Sequence, residues 1–262
     1  MRASAGVVLA GGRSSRMGSA KAGLEWHGST LLWRTVCVLG RATHGPVVVV
    51  RAPGQDLPPV PQGTEVVADP REGLGPVQGI AAGLAVLGGR AEFAFVAATD
   101  LPFLHPEFVR RVVRATQDGA EVGLPVTRGF RQPLAAAYRT TLAPLASELV
   151  AAGMLRPAEL FARCEVAVLD EAALLADPVL AAADPALDSV INVNEPGEYA
   201  AARSRPPPEV TVRAHCVRHA RQVWQVRLRG PRRATRPRRN YRGGSERSRR
   251  GARPRRDGHS KR

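Results

Sequence analysis

The densest chemistry in the chain lies in one short stretch near its N-terminus: Leu9-Ala10-Gly11-Gly12-Arg13-Ser14-Ser15-Arg16-Met17-Gly18-Ser19-Ala20-Lys21. Adjacent glycines let the backbone turn sharply and come close to a ligand. Successive backbone N–H groups in such a loop form an anion-binding nest. Arg13, Arg16 and Lys21 add three positive charges, with no carboxylate among them. The combination suits a polyphosphate, against the plainer alternative of a glycine-rich surface turn. It is neither a Walker A loop, which needs Gly-Lys-Ser/Thr, nor the dinucleotide G-x-G-x-x-G pattern.

Two carboxylates stand in comparable positions further on. Asp100, in Thr99-Asp100-Leu101-Pro102, directly follows an apolar run. A carboxylate at the carboxyl end of a buried strand sits where open α/β sheets bind ligands. It can serve as a Mg²⁺ ligand, because Mg²⁺ takes one or two carboxylates and completes its shell with phosphate oxygens and water. A helix cap or turn is the alternative use of an Asp there. Asp69 opens Asp69-Pro70-Arg71-Glu72-Gly73-Leu74-Gly75-Pro76. It could accept hydrogen bonds from a base or ribose, although alone this segment reads as an ordinary strand-to-helix loop.

The elements that must position these residues follow from periodicity. Continuous apolar runs at 5–10, 46–51, 65–68 and 92–99 predict buried strands. Helix-period segments at 30–42, 76–87 and 106–118 alternate with them. Unbroken apolar strands separated by helices predict an α/β, Rossmann-like fold with a mostly parallel central sheet and helices on both faces. Later strands are expected at 121–126, 132–138 and 166–169, and helices at 140–152, 157–162 and 196–203. If the strands before the three loops are parallel neighbours, all three loops open on one sheet edge. Polyphosphate cations, a metal carboxylate and a recognition carboxylate then converge in a nucleotide site.

Bulk charge points elsewhere. The 262 residues carry 38 Lys+Arg against 23 Asp+Glu, a net +15. Residues 203–262 alone hold 21 of the basic and 3 of the acidic groups, so 1–202 are mildly acidic. The division predicts a catalytic domain over 1–204 and an Arg/Pro/Gly-rich tail over 205–262. Beyond Gly230 the tail has too few apolar residues to bury a core and is expected to be disordered. Short extended stretches are possible at 210–212 and 223–228. The loss of apolar periodicity after Val212 also fits out-of-frame translation of GC-rich coding sequence. The early apolar run is too short for a signal-peptide core, so a cytoplasmic location is expected. Cys37, Cys164 and Cys216 offer neither a disulfide framework nor a paired-cysteine zinc site. His215-Cys216-x-x-His219 supplies too few ligands for a metal. Trp26 and Trp33 are expected in the core.

At these loops the sequence resembles the molybdenum cofactor guanylyltransferases, within the wider nucleotidyltransferase superfamily. The likeness rests on Leu9 to Lys21, on Asp69 followed by Gly75-Pro76-Val77-Gln78-Gly79-Ile80, on Thr99-Asp100-Leu101-Pro102, and on Ile191-Asn192-Val193-Asn194-Glu195-Pro196. It covers about residues 5–202. The resemblance implies that Leu9, Ala10 and Gly11 line guanine and ribose, with Gly12 and Arg13 in the same nucleotide loop. Lys21 would hold the triphosphate, Asp69 contact the nucleotide, and Asp100 bind both nucleotide and Mg²⁺. Arg16 would meet the departing pyrophosphate, while Asn192 and Asn194 would face molybdopterin. Where the resemblance leads one to expect an Asn-type nucleotide contact, the chain reads Val50-Arg51-Ala52-Pro53.

The implied reaction moves GMP from GTP to molybdenum-loaded molybdopterin and releases pyrophosphate, with biosynthetic or acceptor enzymes of the cofactor as possible partners. The attacking phosphate is already an anion and needs no strong base. His27, His44 and His105, the histidines of 1–202, accordingly stand in no Ser or Cys constellation. The competing enzymatic reading is another small-acceptor nucleotidyltransferase, acting with CTP on molybdopterin or on a sugar phosphate or phospholactate. A competing reading of another class is non-specific nucleic-acid binding through the tail. Gly129-Phe130-Arg131-Gln132-Pro133-Leu134 is either an acceptor-side loop or a plain hairpin.

Overall fold

Four consecutive valines, Val47 to Val50, show how this sheet is built. Successive strand side chains point to opposite faces. Val47 and Val49 enter one hydrophobic core, and Val48 and Val50 enter another. The strand can be apolar throughout because both faces are covered. The structure is a computed structural model that describes residues 3–11, 21–71, 73–117 and 119–208.

In chain order, β1 (Ser4–Leu9) is followed by a small hairpin, β2 (Glu25–Trp26) and β3 (Ser29–Thr30), and by α1 (Leu31–Ala42). Then come β4 (Val47–Arg51), β5 (Glu65–Ala68), α2 (Gly75–Leu87), β6 (Phe93–Ala98) and α3 (Pro106–Gln117). A second hairpin of β7 (Val122–Thr127) and β8 (Phe130–Arg131) leads to β9 (Ala135–Arg139), α4 (Ala143–Ala151), α5 (Pro157–Phe161) and β10 (Val166–Leu169). The described chain ends through α6 (Glu171–Leu175), α7 (Pro178–Ala183) and α8 (Pro196–Ser204).

The sheet runs β10-β7-β9-β6-β1-β4-β5, with β8 attached to β7. It is parallel from β6 through β1 and β4 to β5, and again between β10 and β7. Strand β9 is antiparallel to both its neighbours. The expected mostly parallel α/β sheet is therefore present, with one correction to the expected neighbours. Strands β1 and β6 are adjacent, but β5 is separated from β1 by β4. The loops after all three still open on one edge, because the four strands point the same way.

Helices α1 and α3 cover one face through Leu32, Val36, Leu39, Phe108 and Val112. On the other face α2 and α4 contribute Ile80, Leu84, Ala146 and Leu149. Helix α2 lies very close to β1. A Cβ placed on Gly83 would stand 2.5 Å from the Val7 Cγ1, so only glycine permits this approach. A third cluster of Trp26, Leu31, Phe103, Val193 and Ala202 binds the first hairpin and α8 to the loop after β6. The Tyr199 hydroxyl donates to the Glu25 carbonyl across the same contact.

The residues predicted as strand 132–138 begin pairing only at Ala135, because the Ala135 N–H closes a turn on the Gln132 carbonyl at 3.1 Å. The helix expected over 140–152 is a 3₁₀ turn, Thr140–Leu142, running into α4 with Pro144 in the first helical turn. The second hairpin is the plainer of the two readings of 129–134, whereas the first hairpin, α6 and α7 go beyond what the sequence predicts. Each short helix is set by an aspartate: Asp170 accepts from the Ala173 N–H, and Asp177 from those of Val179 and Leu180. Trp26 and Trp33 are buried as expected. Among the described residues no helix is long and apolar enough to cross a membrane. The expectations for the tail from residue 209 onward, including Cys216 and its flanking histidines, lie outside the described residues.

Candidate active site

A cleft of about 530 Å³ opens at the carboxyl ends of β1, β4, β5 and β6. Leu9, Ala10 and Gly11 line it from β1, Asp69 from β5, and Ala98, Thr99 and Asp100 from β6. The wall facing the loop after β5 is the start of α2, where Gly75, Pro76 and Gly79 lie against the cavity. Gly73 and Gly75 take positive φ of 85° and 75° there, a backbone that side chains resist. The strand ends supply mostly backbone and small side chains, so a flat ligand can come close to the sheet edge.

Lys21 stands at the polar end. Its Nζ donates to Asp100 Oδ2 at 2.8 Å and to Asn194 Oδ1 at 2.7 Å. The ion pair is largely sheltered, with 19% of the Lys21 side chain and 18% of the Asp100 side chain exposed. Screening is weaker here than at an open surface. The Asp100 carbonyl accepts from the Val193 N–H at 3.0 Å, which draws segment 191–194 against the loop after β6. That loop is held from beneath as well. Arg34 donates through Nη1 and Nη2 to the Leu104 carbonyl at 3.1 and 3.0 Å. Burial, reinforced by nearby Arg41, lowers the Arg34 pKa to about 10. The His105 N–H donates to Ser189 Oγ at 3.0 Å. The Ser189 N–H in turn donates to buried Asp184.

Asp69 is fixed differently. Its own N–H donates to the Arg51 carbonyl at 2.7 Å, and its Oδ1 accepts from the Arg71 N–H at 3.1 Å. Partial burial raises its pKa above the ordinary carboxylate value, an effect that hydrogen bonds from Arg71 and Gln78 oppose. A carboxylate with incomplete solvation and room beside it is a ready acceptor for a ligand's N–H or O–H groups.

The structure brings together Leu9, Ala10, Gly11, Lys21, Asp69 and Asp100 in the cleft, and joins Asn194 to it through Lys21. Asn192 is exposed, next to buried Val193, and does not line the cleft. Gly12, Arg13 and Arg16 lie outside the described residues. The segment 129–134 is a hairpin built on β7 and β8, and its last residue, Leu134, reaches the cleft wall. Sequence reasoning missed Gln55. It lies in the loop after β4, lines the cleft, and uses its carboxamide to join two loops. The available signal was an amide within a Pro/Gly-containing loop just past a buried parallel strand.

Comparisons with known proteins agree with this geometry. The model of the MobA-like NTP transferase domain matches residues 6–166, more than half of the chain. A protein of Mycobacterium tuberculosis (strain ATCC 25618 / H37Rv) named "Probable molybdenum cofactor guanylyltransferase" is 45% identical over 153 residues, covering 57% of this chain and 74% of that protein. Among solved structures, molybdopterin-guanine dinucleotide biosynthesis protein A from Archaeoglobus fulgidus superposes with a TM-score of 0.58 at 22% identity, covering 76% of this chain and 97% of that one. The 2-C-methyl-D-erythritol 4-phosphate cytidylyltransferase of Thermus thermophilus gives 0.52 at 20% identity, over 78% and 98% of the two chains. At such identities the superpositions speak for the fold alone. The family match and the close relative go further: this chain belongs to the MobA-like NTP transferases, a family of nucleotidyltransferase enzymes.

Proposed function

We propose that the protein transfers GMP from GTP to molybdenum-loaded molybdopterin, forming the guanine dinucleotide cofactor and releasing pyrophosphate. The observation that carries the reading is the meeting of Lys21, Asp100 and Asn194 at the end of a cleft floored by Leu9 to Gly11. It joins a cation for phosphate, a carboxylate for a metal and a residue of the C-terminal segment at one point. The 45% identical relative carrying the guanylyltransferase name supports the choice of substrates.

In the reaction the terminal phosphate oxygen of the acceptor bonds to the α-phosphorus of GTP. The bond from that phosphorus to the bridging oxygen breaks, and pyrophosphate departs with the electron pair. The nucleophile is already ionised. No histidine is needed as base, and His27, His44 and His105 do not line the cleft. The chain's part is to bind and orient. Gly11 and its neighbours receive the nucleoside against backbone, Asp69 accepts from base or ribose, and Lys21 neutralises phosphate charge. Arg16 and Arg13, with Gly12, complete the phosphate loop in this proposal. Asn194 and Asn192 face the acceptor.

The donor set fits a Mg²⁺ ion. The oxygens of Asp100 and Asn194 converge on a cation, the Lys21 ammonium. Among the described residues no cluster of three or more His, Cys, Asp or Glu forms an all-protein metal cage. One carboxylate with room for phosphate oxygens and water is how Mg²⁺ is commonly held at phosphate sites, and Asp100 is the residue that would hold it. Bound there, the ion supplies positive charge to the phosphate oxygens. Residues 1–204 form the enzymatic unit in this reading, working in the cytoplasm.

The test is pyrophosphate release from GTP, CTP, ATP and UTP with molybdopterin as acceptor. Release with GTP alone is expected. Release driven by CTP would overturn the base assignment; the superposition on the Thermus cytidylyltransferase means that the fold itself does not choose the base.

A further inference from the structure

Strands β1 and β4 pair in register as far as Leu9 and Val50, and the Ala10 N–H adds a last rung to the Val50 carbonyl at 2.8 Å. Beyond that point β1 and β4 part, with Arg51 still paired to Ala68 of β5, and their two loops form one wall of the cleft. The Gln55 carboxamide lies between them. Its Nε2 donates to the Ala10 carbonyl at 2.9 Å, and its Oε1 accepts from the Ala52 N–H at 2.9 Å.

We propose that Gln55 is a positioning residue for the nucleoside triphosphate: its amide replaces the missing rung of the sheet and fixes the Ala10–Gly11 peptide that the nucleotide packs against. The inference rests on the nucleotidyl-transfer reading. Several contacts hold Gln55 to this task. Its N–H closes a turn on the Ala52 carbonyl at 3.1 Å, and its own carbonyl accepts from Arg51 Nη1 at 2.7 Å. Backbone and side chain of one residue thus both grip the loop after β4. The two loops are in close contact, because a Cβ on Gly11 would stand 3.1 Å from the Ala52 nitrogen. The residue needs both halves of an amide. A carboxylate in its place would accept from Ala52 but turn a second oxygen toward the Ala10 carbonyl. Gln55 acts through Ala10 and Gly11, so its loss should appear as weaker nucleotide binding rather than slower transfer.

The experiment is GTP affinity by calorimetry for the full chain and for Gln55→Glu and Gln55→Ala, together with kcat and KM. Gln55→Glu is expected to bind GTP roughly tenfold more weakly at neutral pH, the loss of about one hydrogen bond, with kcat at saturating GTP little changed. Its deficit relative to the unaltered protein should shrink toward about pH 5, where a carboxyl group begins to regain a proton to donate. Gln55→Ala should show a deficit that does not change with pH. Unaltered GTP affinity in both variants, or a loss confined to kcat, would overturn the role of Gln55. Failure of the unaltered protein to bind any nucleoside triphosphate would overturn the functional reading along with it.

Discussion

Lys21 and Asn194 are 173 positions apart in the chain, yet the Nζ of one lies 2.7 Å from the Oδ1 of the other. The contact joins the end of the proposed phosphate loop to the segment that leads into α8. Lys21 also holds Asp100, so one ammonium links the proposed nucleotide and acceptor sides of the cleft. When a triphosphate draws Lys21 toward its own oxygens, Asn194 loses its partner. On the proposed reading, the site is then prepared for the acceptor by the arrival of the nucleotide.

Asp100→Asn should leave the fold intact and remove most of the activity. The Asn amide oxygen can still accept from Lys21, and Asn194 remains as its other acceptor, so the loss of stability should be on the order of 1–2 kcal/mol. The thermal midpoint should therefore move by only a few degrees. The rate should fall about a hundredfold or more, as when a preorganised charge is taken from a transition state. Pyrophosphate release near the original rate in saturating Mg²⁺ would remove Asp100 from the metal and phosphate chemistry.

Asn194→Ala and Asn192→Ala separate a linked residue from an exposed one. Losing Asn194 should raise the acceptor KM about tenfold, the scale of one lost hydrogen bond to a charged group. It should also change GTP affinity, because Lys21 loses a partner. Asn192→Ala should touch only the acceptor KM. Equal GTP affinities in the two variants would show that the Lys21 contact carries no coupling.

Asp69→Asn tests a carboxylate that is kept short of solvent. Its pKa is raised by burial, so the folded protein holds the Asp69 proton more tightly than the unfolded chain does. The associated stabilisation is complete below the unfolded value and disappears as pH rises through the folded one. At neutral pH the ionised group is therefore a burden on folding. The Asn variant should melt at the same temperature as the parent or higher at pH 7, while binding nucleotide more weakly. A lower melting temperature at pH 7 would contradict this account.

Gly83→Ala should destabilise the domain by about 1–3 kcal/mol, the usual penalty of overpacking a core. The added methyl meets Val7 at the centre of the sheet, and neither Gly83 nor Val7 lines the cleft. Chemical denaturation should show a lower midpoint, while the KM for nucleotide stays close to the original value. A stability equal to the parent would mean that α2 can lift away from β1 without cost.

Much of this arrangement was legible from residues alone. Apolar runs in β1, β4 and β6 are readable because both faces of the sheet are covered. Asp69 and Asp100 stand out through convergence, since each alone could be a cap or turn residue, but both follow strands whose loops open on one edge. The antiparallel β9, by contrast, has the same apolar sequence whichever way it runs, and nothing in Ala135 to Tyr138 states its direction. Helices α6 and α7 are too short for a periodic signal, and only the caps Asp170 and Asp177 mark them. Gln55 escaped notice because its importance comes from the carbonyl it meets, which belongs to a loop 45 positions away. The link from Asn194 to Lys21 is of the same kind, a product of folding rather than of spacing.

The proposed nucleotide floor and the proposed acceptor wall come from separate stretches of the chain. Residues 9–100 make the first, while the second arrives as a strap secured by Trp26, Phe103, Val193 and Ala202. The match to the family ends at residue 166, before that strap begins. A division of this sort lets inheritance act on the two halves at different rates. On the proposed reading, the strap could be rewritten to suit a new acceptor while the sheet edge keeps its nucleotide. On that reading, exchanging residues 184–204 between relatives should change the acceptor and leave the nucleotide preference as it was.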